Sequence, residues 1–286
     1  MATLNHWRED TELASAADRI ERAGLNIDLL AAVDDHNFGL GPLEECKKKL
    51  GEFDNASFER ALLLLRGEAI RPHLNLHPKV QRLLEEDIRG FAKDKKAENP
   101  LLGTSNFVAC AKLVTGRRFP AGPMDWEISG IPRSWVKRAG IAGGAKFLAF
   151  IATHLGGFKP IFFMHVGLRP RNRGLVLEKE VMRSYYRMAL SLRAWPEVKA
   201  IVAYGWFHDP AAVAESPHLE FMNRPYREGG GLFRLEPATP DSGFAENNAE
   251  RLRRYHAGEL RYHMYAAVWP RKRALEWVEA HPEYDG

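Results

Sequence analysis

The sequence predicts an α+β protein, with a helical amino-terminal part over residues 1–100 and a mixed β-sheet flanked by helices over 101–286. Three observations point there. Apolar residues recur at helical spacing through the first part. Between Gly116 and Gly157 the texture changes to dense glycine and proline, which leaves room only for short strands and loops. From Pro160 a short apolar run, a basic loop with a glycine, an amphipathic stretch and a second apolar run follow one another. Such a strand–loop–helix–strand unit makes its two strands parallel neighbours.

A first helix is expected from Thr11, read as its N-cap, through Leu13, Ala16 and Ile20 to a stop at Gly24. A second starts near Ser57 behind Asp54 or Asn55 and stops at Gly67. A third begins at Pro78, where a proline costs no helical hydrogen bond, and aligns Val80, Leu83, Leu84, Ile88 and Phe91. The charged stretch Lys93 to Pro100 reads as a linker, placing a boundary near residue 100. Beyond it, Ile161 to Val166 suits a strand buried on both faces. Leu175 to Ala194 suits a helix ended by Pro196, and Val198 to Tyr204 a second strand. The remainder predicts a turn at Gly229-Gly230-Gly231 before Leu232 to Leu235, a helix around Ala245 to His256, a strand from Arg261 to Trp269 and a last helix from Arg271 to Ala280.

Composition narrows the function. Lys plus Arg total 41 against 37 Asp plus Glu, a formal charge of +4, too small an excess to expect nucleic acid without a clustered patch. Two cysteines, Cys46 and Cys110, give neither a disulfide framework nor a metal knuckle. No apolar stretch is long enough to cross a bilayer, and the polar start is unlike a secretory signal, so a cytoplasmic protein with no membrane partner is expected. His73 and His77 are framed by prolines and no HExxH occurs, so no metal is expected. Serine-hydrolase, P-loop and dinucleotide signatures are also missing.

The loop after the first apolar run, Arg169-Pro170-Arg171-Asn172-Arg173-Gly174, carries the most chemistry. Backbone N–H groups at a helix start lack intrahelical partners and sit at the positive end of the dipole, which makes an anion site. Arginines suit a diphosphate, and Gly174 would allow it to approach closely. Three arginines in five residues equally describe a solvated loop.

Preceded by the strand ending at Val166 and followed by a helix and another strand, Arg171-Asn172-Arg173-Gly174 resembles the pyrophosphate loop, R/Q-x-x-G-x-G/A, of the GNAT acyltransferase superfamily. Val176 stands where that pattern has a small residue. The resemblance spans roughly residues 145–235 and implies a GNAT-like mixed sheet, with acyl-CoA or an acyl carrier thioester as donor and a small amine or amino acid as acceptor. It implies that Val166, Leu168, Arg169, Arg171, Asn172, Arg173, Gly174 and Leu175 hold the donor, and that pantetheine lies between two strands that splay apart. His165 on the first of these strands, and His208 with Asp209 just after the second, would face the opening. The chain is also similar to a group of bacterial proteins with no assigned activity, through Trp206-Phe207-His208-Asp209-Pro210, Ser216-Pro217-His218-Leu219 and Trp269-Pro270-Arg271.

In such a site His165 is a candidate base, since its intrinsic pKa is near neutral. It equally fits a satisfied histidine of a buried strand. His208 with Asp209 reads either as an acid–base pair or as a turn in which Asp209 caps the helix opened by Pro210. Tyr204, beside Tyr185, Tyr186 and Tyr226, is a candidate acid or a core aromatic. The alternative function is a noncatalytic binding or regulatory protein that offers Arg251, Arg253, Arg254, Arg271, Lys272 and Arg273 to acidic partners.

Overall fold

A computed structural model describes residues 4–33, 55–70, 76–93, 105–166, 171–243 and 248–285. The chain forms two compact units, Met1–Pro120 and Ala121–Gly286. The boundary therefore falls about twenty residues beyond the expected linker, because the helix Ser105–Val114 and the three-residue strand β1 (Arg118–Pro120) belong to the first unit. Asp54, His73 and most of Lys93 to Pro100 lie outside the described residues.

The first unit holds α1 (Thr11–Arg22), α2 (Asn55–Ile70), α3 (Pro78–Lys93) and α4 (Ser105–Val114). Asp10, one residue before the expected cap, accepts the Glu12 and Leu13 amides and starts α1. Phe58 and Ala61 to Leu65 are buried in succession, so α2 is enclosed on all sides, and it touches α1, α3 and α4. It runs on through Gly67, whose bare face meets Ile88 of α3.

The second unit is built on β2 (Met124–Gly130), β3 (Pro160–Val166), β4 (Ala200–Gly205), β5 (Gly231–Pro237) and β6 (His263–Pro270) in the order β2-β3-β4-β6-β5. β3 and β4 are parallel; the other neighbours are antiparallel. The fold is thus α+β with a mixed sheet and flanking helices, as the sequence predicts.

One face of the sheet is covered by α5 (Ser134–Arg138), α6 (Gly140–Phe150) and a π-helical turn, Ile151–Leu155. Trp135, Phe147, Ile151 and Leu155 pack there against Ile161, Ala200, Val202, Ala266 and Val268. These helices replace the short strands and loops expected from the glycines. Gly144 is buried inside α6, and a Cβ on it would sit 2.4 Å from the Val136 carbonyl oxygen. The glycine marks a close approach of two helices rather than a break.

Among the elements on the opposite side are α7 (Glu178–Ser191) and α11 (Arg271–Ala280), which pack together. Between β4 and β5 come α8 (Pro210–Glu215), a 3-10 helix Pro217–Asn223 and α9 (Arg224–Gly229), and α10 (Ala249–His256) precedes β6. Arg271 reaches back to the carbonyls of Leu192 and Trp195, which fastens α11 to the end of α7.

Candidate functional site

β3 and β4 pair at Phe162↔Ile201 and Phe163↔Val202, and their ladder goes no further. Past that point the two strands enclose a cavity of about 400 Å³ lined by Met124, Phe163, Met164, His165, Val166, Leu175, Val176, Tyr204, Trp206, Phe207, Leu219 and Met222. Successive side chains of a strand point to opposite faces, so Phe163 and His165 reach it from one face and Met164 and Val166 from the other. The cavity passes through the sheet where the parallel pair opens. Phe207 folds back to line it because Gly205 has no side chain: a Cβ there would lie 2.4 Å from the Phe207 ring.

His165 lines this cavity, and its Nε2 lies 3.2 Å from Glu127 Oε1, without the alignment of a hydrogen bond. The β2/β3 register places Asp125 opposite His165 and Glu127 opposite Phe163, so the contact is diagonal, on one sheet face. Glu127 was invisible as a site residue in the sequence, because β2 lies among the breakers and its partner is in another strand.

Tyr204 also lines the cavity, stacked on Trp135 at 5.1 Å between ring centroids. Its hydroxyl donates to Glu236 Oε1 at 2.6 Å, and the Arg138 guanidinium donates to the same oxygen at 2.9 Å. Burial, and then the bond to Glu236, push the phenol well above its ordinary pKa. The hydroxyl proton is thus donated to Glu236 within the fold.

Arg171, Asn172, Arg173, Gly174 and Leu175 belong to a 3-10 helix, Arg171–Val176, ahead of α7. Leu168 and Arg169 lie outside the described residues. Gly174 is backed by Pro123: a Cβ on it would meet Pro123 Cβ at 3.2 Å and Glu180 Cβ at 3.6 Å. Its missing side chain thus serves packing within the fold. Leu175 and Val176 line the cavity, and Val176 is 63% exposed at its edge. The first turn of α7 holds Glu178 and Glu180, which pair with Arg224 and Arg183, each at 2.7 Å. These carboxylates already complement the helix dipole.

His208 and Asp209 are not among the cavity-lining residues. The 3-10 turn Trp206–His208 buries His208 completely, with Nδ1 donating to Asn223 Oδ1 and Nε2 without a hydrogen-bond partner. Burial lowers its pKa to about 4. Asp209 caps α8 through Ala211 N at 2.8 Å and accepts the His263 amide at 2.6 Å. Tyr185 donates to the Met222 carbonyl, and the Tyr226 hydroxyl lies 4.0 Å from Met164 sulfur, so both serve the core beneath the cavity.

The carboxy-terminal basic residues are engaged within the fold. Arg253 pairs with Glu250, Arg254 with Glu215, and Lys272 and Arg273 with Glu276. Arg251 donates to Ser216 and lies over the Trp206 ring. Among the described residues no group of three or more His, Cys, Asp or Glu side chains is placed to hold a metal, and no helix is long and apolar enough to cross a membrane. Compared with protein-family models, curated proteins and solved structures, the chain matches none.

Proposed function

We propose that the protein is an N-acyltransferase that moves an acyl group from a coenzyme A or acyl-carrier thioester to an amine or amino acid. One observation carries the reading: a parallel strand pair that opens after two paired positions into a cavity bearing a histidine backed by a carboxylate. The GNAT resemblance implies such an opening for pantetheine. The strand edges past Phe163 and Val202 supply main-chain groups for the pantetheine amides, and Leu175 and Val176, at the end of the segment that starts at Arg171, line the opening.

In this reaction a neutral amine nitrogen bonds to the thioester carbonyl carbon, the carbon–sulfur bond breaks and the sulfur leaves as thiolate. The surplus N–H proton passes to His165 at Nδ1, the ring nitrogen that does not face Glu127, and the imidazolium returns it to the departing thiolate, which balances the step. Glu127 stabilises the imidazolium while it exists, the service a carboxylate gives a histidine base. A noncatalytic role for the carboxy-terminal basic clusters is less well supported, since their side chains already have partners in the fold.

The test is release of free thiol from acyl-CoA in the presence of a panel of amines and amino acids, alongside thermal melting with each CoA ester. A rise in Tm with CoA esters and amine-dependent thiol release support the proposal. Arg171→Ala with Arg173→Ala is expected to weaken CoA binding by about tenfold, the worth of a phosphate contact. No stabilisation by any CoA ester and no thiol release would overturn it.

A further inference from the structure

We infer that the cavity between β3 and β4 receives a medium or long fatty acyl chain, so that the preferred donor is a fatty acyl thioester rather than an acetyl one. This rests on the acyltransferase reading for the head of the molecule, and on the cavity wall for its tail.

Among the described residues, ten of the twelve that line the cavity carry apolar or aromatic hydrocarbon side chains, and the two others are His165 and Tyr204. The Tyr204 hydroxyl is already given to Glu236 and His165 Nε2 is buried against Glu127, which leaves the wall largely apolar. An acetyl group brings a single methyl to a space of about 400 Å³, which is within the size range of ligand pockets. A fatty chain extends along the apolar wall beyond the pantetheine and gains with every methylene withdrawn from water. Met124, Met164 and Met222 contribute to that wall, and methionine adapts to a flexible chain better than branched side chains do.

The mouth has the same character. Val166 and Val176 line the cavity and remain 51% and 63% exposed, an apolar rim that a bound chain would cover. Val176 occupies the loop position where the resembling pattern has a small residue. Here that departure extends the apolar wall to the edge.

The experiment measures binding to the full-length protein of acetyl-, butanoyl-, octanoyl- and dodecanoyl-CoA and of free dodecanoate, with thiol release read in parallel. Affinity is expected to rise about fourfold per methylene from butanoyl to octanoyl. Leu219→Trp, which narrows the cavity, should cost the octanoyl ester about tenfold more than it costs acetyl-CoA. Val176→Trp, at an exposed position that tolerates bulk, is the second variant and should give the same chain-selective loss. Equal affinity for acetyl and dodecanoyl esters overturns the chain assignment and leaves acyl transfer standing. Dodecanoate binding as tightly as its CoA ester, with no thiol release, supports the chain site and overturns acyl transfer. If no fatty chain binds better than acetyl-CoA or in preference to buffer, the inference is wrong.

Discussion

Glu127 Oε1 lies 3.2 Å from His165 Nε2, a contact made diagonally across β2 and β3 on the face from which Phe163 also enters the cavity. The imidazole lines the cavity and the carboxylate stands behind it on the neighbouring strand. This arrangement gives a proton arriving at His165 a compensating charge within contact distance, while the strand pairing holds both backbones in place.

If the two act as one unit in acyl transfer, His165→Gln should lower kcat by about a hundredfold, the usual worth of a positioned base. Glu127→Gln should lower it less, and the double variant should be no slower than His165→Gln alone, because removing a partner matters little once the base is gone. Thiol-release kinetics check this. Losses that multiply in the double variant would mean that the side chains work separately.

His208 predicts a pH effect on stability. Its folded pKa, about 4, is below the ordinary histidine value of 6.5 because burial disfavours the imidazolium. Between these values the unfolded chain binds a proton that the folded chain does not, so stability falls as pH drops from 6.5 to about 4. The full loss from this group is roughly 3 kcal/mol. Melting curves across the window should show a fall in Tm for the wild type and a shallower one for His208→Gln. Equal slopes would mean that the unfolding transition does not depend on this imidazole.

The contrast between His165 and His208 shows what the residue pattern reveals. β3, α7 and β4 were legible because apolar runs and helical spacing are local, and the opening between the strands was expected only through the GNAT resemblance. Following β4 in sequence points His208 to the opening, but the turn Trp206–His208 carries it inward to Asn223, a partner fifteen residues on. Asp209 follows the local alternative, the cap before Pro210. Glu127 was missed because its meaning depends on the β2/β3 register. α5 and α6 were missed because Gly140, Gly143 and Gly144 read as breakers, although glycine in a helix also permits close packing against a neighbour.

That packing is testable at Gly144. A methyl group there meets the Val136 carbonyl oxygen at 2.4 Å, and a backbone atom cannot turn aside as a side chain can. Gly144→Ala should therefore lose about 1–3 kcal/mol, the cost of overpacking, despite the better helix propensity of alanine. Denaturant unfolding measures it. A stabilised variant would show that α5 and α6 can separate at no cost.

Gly205 makes the opposite case. Its φ of 174° is extended backbone open to any residue, so alanine strains nothing in the main chain. The clash falls on the Phe207 ring, at 2.4 Å from the new Cβ, and that ring borders the cavity and can turn toward it. Gly205→Ala should cost less than about 1 kcal/mol of stability. It should nonetheless reduce affinity for the longest acyl-CoA by about tenfold, because the displaced ring takes the volume a chain would occupy. Paired melting and binding measurements separate the two effects. A large fall in Tm with unchanged binding would show that the ring is held by the core and moves away from the cavity, and the wall at Phe207 would then have no part in selecting the chain.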